Sequence, residues 1–148
     1  MEKTLSPAFI ELSLEADTKK QALSLLVEKM YNKGVFTEQE LFLEAVLERE
    51  KLLSTYCGFH IAIPHAVSKT VKSAAFGFCR TNALEWDEDD EPVHYILLLA
   101  IPESKDTQNS QHIDMMSQIA SLALEEEVRL VWEKAKTKEE ILKTFTNF

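Results

Sequence analysis

The sequence predicts an α/β (α+β) fold in which a single mixed β-sheet is flanked by helices on both faces. Short runs of alternating or wholly apolar residues indicate strands. Longer stretches with apolar residues at helical spacing lie between and after these runs, which favours helices packed on a sheet. The chain has 148 residues, 45% of them hydrophobic and 28% charged, so we expect one domain, residues 1–148, with its own core.

The N-terminal part of the chain predicts a strand followed by a helix. Residues 9–14 end in a period-two alternation, which is typical of a strand. Asp17 or Thr18 can cap the following helix, because both side chains accept hydrogen bonds from free backbone N–H groups. The helix is expected to stop near Gly34, which adopts the left-handed conformation without strain.

A second helix is predicted to place an arginine where its apolar face ends. Thr37 and Glu40 have the spacing of a capping box, so the helix should begin there. Phe42 and Val46 lie on its apolar stripe, and Arg49 occupies the next position of that stripe. An arginine stem packs against a core while its guanidinium reaches water, so Arg49 is expected at the rim.

Three more strands are predicted, over residues 59–63, 74–79 and 93–99. The last is almost wholly apolar, which favours a central strand covered on both faces. The acidic run Glu85–Glu91 before it is expected to be a solvated loop rather than a metal site. A polar loop over 106–110 then leads to a helix with His112 in its first turn.

The remaining features are a final helix and a histidine that follows a proline. A second capping box, Thr137 with Glu140, predicts the start of the last helix. Strand 59–63 is followed by Pro64, which has no N–H and should end the pairing. His65 comes next, so an imidazole is expected at a rigid strand end.

Composition excludes several classes of protein. The 16 basic and 25 acidic residues give a net charge of −9, which argues against a nucleic-acid binder because phosphate neutralisation needs clustered cations. The longest apolar run is far shorter than the ~20 residues of a membrane-spanning helix. Cys57 and Cys79 match no disulfide framework and no CxxC pattern, so a reduced cytoplasmic setting is expected.

The other polar side chains point to weaker alternatives. A zinc site of His65, His112 and Asp114, as in a metal-dependent hydrolase, lacks a ligand pair at metal-site spacing, so no metal is predicted. Nothing basic beside Cys57 in the sequence favours a reactive thiolate. His60 and His94 are expected at a sheet edge or end, facing solvent.

Several motifs together resemble one known family. They are Leu47-Glu48-Arg49-Glu50, Ser54-Thr55, Ile61-Ala62-Ile63-Pro64-His65, and the strand end Ala100-Ile101-Pro102-Glu103 before His112. In order and length the chain is similar to the enzyme IIA domain, mannitol/fructose class, of the bacterial phosphoenolpyruvate-dependent sugar phosphotransferase system. It departs from the family at 56–60, where small residues with repeated glycine are usual, and at Ala66.

The resemblance implies a phosphoryl relay. It implies that His65 is the phosphorylated nucleophile, that Arg49 stabilises the phosphate, and that His112 donates a hydrogen bond to it. It also implies the phosphocarrier HPr as donor, a sugar-specific IIB component as acceptor, only indirect contact with the membrane component IIC, and no cofactor, metal or nucleic acid. His65 should then lie in a shallow depression with an apolar rim.

Two functions fit this resemblance. The first is a phosphocarrier for carbohydrate uptake. The alternative is a regulatory IIA-like signalling domain, of the nitrogen-related kind or linked to a transcription regulator. The hydrogen-bond partner that selects the His65 tautomer does not follow from the sequence.

Overall fold

A computed structural model describes residues 6–103 and 109–146, apart from the side chains of residues 109–113. Within that part, six strands and five helices follow one another. The strands are β1 (Ile10–Leu14), β2 (Tyr56–Gly58), β3 (Ile61–Ala62), β4 (His65–Ser68), β5 (Ala75–Leu84) and β6 (Val93–Pro102). The helices are α1 (Lys19–Asn32), α2 (Gln39–Leu52), α3 (Asn109–Ala123), α4 (Glu126–Lys134) and α5 (Lys138–Thr146).

The sheet is mixed and centred on β6. Its strand order is β1-β5-β6-β3-β2, and β4 also pairs with β6. Strand β6 runs antiparallel to β5 but parallel to β3 and β4. All of its residues except His94 and Pro102 are buried. The predictions of a mixed sheet and of a central, doubly covered strand are therefore confirmed.

Helices cover both faces of the sheet, as predicted. One hydrophobic cluster joins α1 and α2 to one face; among its members are Leu23, Leu26, Phe42, Val46, Ile96 and Leu98. The other joins α3, α4 and α5 to the opposite face; among its members are Ile119, Trp132, Ile141, Phe145, Leu97 and Leu99. Because side chains of β6 alternate between the two clusters, each helical layer is anchored to the same strand.

Three of the predicted helix signals are confirmed. Thr18 caps α1, since its Oγ1 accepts the Gln21 N–H at 3.1 Å, and Gly34 beyond the helix has a φ of +77°. Thr137 and Glu140 form the capping box of α5: the Glu140 N–H donates to Thr137 Oγ1 at 3.3 Å, and the Thr137 N–H donates to Glu140 Oε1 at 3.1 Å.

The capping box predicted at Thr37 is wrong. Helix α2 begins at Gln39 after Glu38, whose side chain makes no capping bond. The Thr37 N–H instead donates to the Thr70 carbonyl at 3.0 Å. Pairing with the segment after β4 therefore holds Thr37 outside the helix, a long-range contact that local spacing does not reveal.

Helix α4 was not predicted as a separate element, and β5 explains how it ends. Arg80 of β5 donates through Nη1 to the Trp132 carbonyl at 3.0 Å and to the Ala135 carbonyl at 2.8 Å. Its Nε donates to the Leu12 carbonyl of β1 at 3.0 Å. The guanidinium thus binds carbonyls at the C-terminal end of α4, where a positive charge is favourable.

Candidate functional site

His65 lies within the sheet. Pro64 was predicted to end the strand pairing, but the pairing with β6 continues beyond it. After β3 the chain pairs again with β6, and His65 opens β4 opposite Leu99. Pro64 lacks an N–H, but its carbonyl accepts the Leu99 N–H at 2.9 Å. The prediction considered only the missing donor, whereas the remaining acceptor continues the ladder on the side that faces β6.

The half-buried imidazole of His65 is held in one tautomer. Its Nδ1 lies 3.0 Å from the carbonyl oxygen of Ile63. A carbonyl oxygen only accepts hydrogen bonds, so this contact places the proton on Nδ1. The Nε2 atom of the neutral ring then keeps its lone pair, the form needed in a nucleophile or general base.

Arg49 lies in the last turn of α2, a helix that packs against β4. Its Nη1 donates to the Leu53 carbonyl at 2.7 Å, just beyond the helix end. Among the described side chains no carboxylate lies within ion-pair distance of this guanidinium. Arg49 therefore offers N–H groups and a positive charge to an anion near the C-terminal end of α2.

The buried stripe of α2 continues through Glu50 rather than Arg49. Phe42, Val46 and Glu50 are spaced by four residues and are the three buried residues of the helix, whereas Arg49 is half-exposed. The spacing was visible in the sequence, and a carboxylate on a buried stripe signals a partner network. Trp86 is one partner, donating its Nε1–H to Glu50 Oε1 at 3.1 Å.

The acidic run Glu85–Glu91 is only partly a solvated loop. Glu85 and residues 88–91 are exposed, as predicted. Trp86 is buried against Glu50, and half-buried Asp87 accepts a hydrogen bond from Ser54 Oγ. Two residues of the run thus belong to the network behind α2.

His112 lies in the first turn of α3, as predicted, but its side chain falls outside the described part of the structure. Its relation to His65 and Arg49 stays a prediction. Asp114, two residues later, is exposed. Among the side chains that the structure describes, no three potential metal ligands lie together.

His60 and His94 lie side by side at the opposite end of β6 from His65. Their ring centroids are 4.8 Å apart, and they line a cavity of about 570 Å³. His60 and Phe59 have φ values of +63° and +55°, so a left-handed turn joins β2 to β3. Because of this turn the predicted strand over residues 59–63 is shorter than expected, and β3 comprises only Ile61 and Ala62.

Burial and the neighbouring His60 lower the pKa of His94. Partial burial of Sγ likewise raises the pKa of the Cys57 thiol, in a residue that is exposed overall, and this Sγ donates to the Ile61 carbonyl at 3.3 Å. A raised pKa reduces the thiolate fraction, which argues against Cys57 as a nucleophile.

Exposed apolar side chains follow both Arg49 and His65 in the chain. Leu52 and Leu53 at the end of α2 are 83% and 70% exposed, and Leu53 provides the carbonyl that binds Arg49. Val67 is 55% exposed and lies two residues after His65, on the same face of β4. The apolar rim around His65 stays a prediction.

Comparison with known proteins identifies the family. Residues 3–148 match the family model of the phosphoenolpyruvate-dependent sugar phosphotransferase system, EIIA 2. The chain belongs to this family of phosphotransferase components. A curated relative is the fructose-specific EIIABC component of Bacillus subtilis, 28% identical over 135 residues, which cover 90% of this chain and 21% of that protein. The chain therefore spans about a fifth of this relative's length.

Solved structures share the fold. The nitrogen regulatory protein IIA-Ntr of Neisseria meningitidis superposes with a TM-score of 0.85 at 26% identity, covering 94% of each chain. Enzyme IIA for mannitol from Escherichia coli, solved in complex with phosphorylated enzyme IIB, has a TM-score of 0.79 at 25% identity, over 95% of this chain and 96% of that one. Among the described residues no helix is long and apolar enough to cross a membrane.

Proposed function

We propose that residues 1–148 form one EIIA domain that works as a phosphocarrier. In this proposal His65 accepts a phosphoryl group from phospho-HPr and passes it to a sugar-specific IIB component during carbohydrate uptake. The observation that carries the proposal is the 3.0 Å contact between His65 Nδ1 and the Ile63 carbonyl, which leaves Nε2 free to attack.

The transfer balances without a separate proton carrier. The Nε2 lone pair of neutral His65 forms the new N–P bond, while the electron pair of the donor's N–P bond returns to the donor nitrogen. The donor ring leaves as a neutral imidazole if its phosphorylated form carries a proton on the other nitrogen. The phosphorylated His65 ring then has the same positive charge, and the Ile63 carbonyl accepts its Nδ1–H.

Arg49 and His112 are proposed to stabilise the transferred group. Phosphoryl transfer depends mostly on positioning and on stabilising charge on the equatorial oxygens. The guanidinium of Arg49 has donors beyond the one that binds Leu53, and these suit phosphate oxygens. His112 is in the first turn of α3, where the N-terminal end of the helix favours a nearby anion.

Both partners need access to the same imidazole. Leu52, Leu53 and Val67 are exposed apolar side chains beside Arg49 and His65, which suits alternating protein partners. The Escherichia coli mannitol enzyme IIA, which shares the fold, is known in complex with phosphorylated IIB. HPr as donor and IIB as acceptor are consistent with the family, while IIC would be reached only through IIB. We propose a cytoplasmic site of action.

The proposal is tested by phosphorylation in solution. The chain is incubated with phosphoenolpyruvate, enzyme I and HPr, and the acid-labile phosphoryl group is located by mass spectrometry. We expect label on the wild-type chain and on His60→Ala, but none on His65→Ala. A label that persists in His65→Ala, or a wild-type chain that takes none, would refute the proposal.

A regulatory role is the second candidate, because the Neisseria meningitidis IIA-Ntr protein has the same fold at a TM-score of 0.85. Both roles allow phosphorylation of His65, so the acceptor decides between them. Transfer from the phosphorylated chain to a IIB encoded beside it supports transport. Retention of the phosphoryl group with every IIB of the genome supports regulation.

A further inference from the structure

Glu50 is a buried carboxylate surrounded by donors from three other parts of the chain. Only 4% of its side chain is exposed. Lys19 Nζ lies 2.8 Å from Oε1, Trp86 Nε1–H donates to the same oxygen at 3.1 Å, and Thr55 Oγ1–H donates to Oε2. A buried charge is stable only when it is paired and hydrogen-bonded in this way.

The Thr55 end of this network leads to the imidazole of His65. The Thr55 N–H also points at Glu50 Oε1, at 3.5 Å, so both donors of this residue face the carboxylate. The Thr55 carbonyl in turn accepts the Ile63 N–H at 3.1 Å. The Ile63 carbonyl accepts the Nδ1–H of His65 at 3.0 Å. Three successive links therefore connect the buried carboxylate to the imidazole.

The turn after α2 is held from a second side. Ser54 Oγ–H donates to Asp87 Oδ2 and accepts the Tyr56 N–H at 3.1 Å. Lys19 Nζ lies 3.7 Å from Asp87 Oδ1, so one ammonium serves both carboxylates. Leu53, the first residue of this turn over residues 53–55, provides the carbonyl that binds Arg49.

Residues 53–55 therefore bind one of the two groups that the phosphocarrier proposal needs and are linked to the other through Ile63. Through Leu53 they orient the guanidinium of Arg49, and through Thr55 and Ile63 they reach the imidazole of His65. Nothing in this turn belongs to a helix or strand, so it is held by side-chain hydrogen bonds, of which those to Glu50 fix Thr55 and that to Asp87 fixes Ser54. Displacement of a reacting group by about 1 Å is enough to slow a reaction by about 100-fold.

We propose that Glu50 is a positioning residue, which acts through Thr55 and the Ile63 backbone to hold His65 in its Nδ1–H tautomer. The proposal rests on the phosphocarrier function for its kinetic consequence, but not for the tautomer itself. The lone pair on Nε2 persists because the Ile63 carbonyl stays in place. Pairing with β6 holds the backbone on one side of that carbonyl, and on the other side the Ile63 N–H is held by Thr55, which is tied to Glu50.

The test is nitrogen NMR of the ¹⁵N-histidine-labelled, unphosphorylated full chain, at a pH where His65 is neutral. The variants are Glu50→Ala, Glu50→Gln, Thr55→Val and Thr55→Ser. Thr55→Val keeps the shape but loses the hydroxyl, whereas Thr55→Ser restores it. Asn82→Ala is the control for destabilisation, because Asn82 binds both backbone groups of Ala16 and, among the described residues, makes no hydrogen bond to Glu50 or Thr55.

We expect the wild type, Thr55→Ser and Asn82→Ala to show the Nδ1–H tautomer. In Glu50→Ala and Thr55→Val the signals should shift to a mixture of tautomers, and phosphorylation by phospho-HPr should slow by about 10- to 100-fold. Glu50→Gln keeps an acceptor but loses the charge that faces Lys19, so it should fall between wild type and Glu50→Ala.

Two results would overturn the proposal. One is an unchanged His65 tautomer in both single variants, Thr55→Val and Glu50→Gln. This result overturns the role of Glu50 even if Glu50→Ala does not fold. The other is an equal shift in Asn82→Ala, which would make the effect one of general destabilisation. A wild-type chain that takes no phosphoryl group refutes the phosphocarrier function, while the tautomer measurement still decides the role of Glu50.

Discussion

The Nδ1–H of His65 donates to the carbonyl of Ile63, two residues earlier in the chain, at 3.0 Å. The two residues flank Pro64, whose fixed φ limits the conformations of the chain between them. A backbone carbonyl does not titrate, so it holds the same tautomer at any pH at which the ring is neutral. The motif Ile63-Pro64-His65 is thus a unit that exposes one nitrogen of an imidazole and occupies the other.

Arg49 provides the first prediction. Arg49→Ala should slow phosphorylation of His65 by about 100-fold, as expected for loss of a group that stabilises transition-state charge. Loss of the exposed hydrogen bond to Leu53 should cost only about 0.5 kcal/mol of unfolding free energy. Arg49→Lys keeps the charge without the planar fork and should be intermediate. Phosphorylation assays quenched at fixed times measure the rate, and urea unfolding measures the free energy. A wild-type rate in Arg49→Ala would remove Arg49 from the site.

Gly77 of β5 is predicted to tolerate no side chain. A Cβ at this position would lie 2.1 Å from Cε2 of the Phe9 ring. Gly77→Ala should therefore cost about 1–3 kcal/mol of unfolding free energy, the usual effect of overpacking. Adding Phe9→Leu should recover part of that loss in a double-mutant cycle.

Gly34→Ala is the matched control for this cycle. It has open space around the new Cβ but a φ of +77°, so its cost comes from the backbone and Phe9→Leu should not reduce it. Additive effects of Gly77→Ala and Phe9→Leu would contradict the predicted clash.

His94 should make the stability of the chain pH-dependent. Burial and His60 lower the pKa of His94 in the folded state, so the unfolded chain takes up its proton first as the pH falls. The contribution of neutral His94 to the free energy of unfolding is fully present above about pH 6.5, the ordinary pKa of histidine. It is lost as the pH falls through the pKa of His94 in the folded state. As the pH falls from about 7.5 to about 5.5, the melting temperature of His94→Gln should therefore decrease less than that of the wild type.

The comparison needs a control, since every titratable group contributes to the pH dependence. His65→Gln serves, because its ring lies at the other end of β6. Equal pH dependence in His94→Gln and the wild type would show that His94 is not responsible.

The two predicted capping boxes should respond differently to mutation. Thr137→Ala removes a cap that the structure shows and should cost about 1 kcal/mol of unfolding free energy. Thr37→Ala should change it by less than about 0.5 kcal/mol, because Thr37 makes its contact with Thr70 through the backbone. Denaturant unfolding of both variants measures the difference, and a larger loss in Thr37→Ala would contradict the structure.

Cys57 should be a slow thiol. Burial raises its pKa, so alkylation near neutral pH should be slower than that of a small free thiol. Mass spectrometry of the partly alkylated chain follows the reaction, with Cys79→Ser used to isolate the Cys57 signal. Cys57→Ser should accept phosphoryl groups at the wild-type rate. Fast alkylation or loss of phosphorylation in that variant would assign Cys57 a chemical role.

The candidate residues Arg49 and His65 could be proposed from the sequence because each lies in a short motif. The reasons given for them were only partly right, since the buried stripe of α2 runs through Glu50 and His65 lies within a strand. The role of Glu50 could not be proposed from the sequence, since its partners Lys19, Thr55 and Trp86 come from separate segments. The continuation of pairing past Pro64 was also hidden, because only the position of β6 shows which backbone groups face a partner.

The sequence by itself determined the fold class, the central apolar strand, the cap of α5 and the family, and it narrowed the cap of α1 to Asp17 or Thr18. These depend on periodicity, on residues within one turn of each other, and on motifs in a fixed order. Only the tertiary structure decided which nitrogen of His65 carries the proton, which group Thr37 binds, and that Glu50 rather than Arg49 continues the buried stripe of α2. The bond of Thr37 and the burial of Glu50 depend on contacts between distant segments. The His65 tautomer depends on the backbone conformation of residues 63–65, which pairing with β6 fixes once the chain has folded.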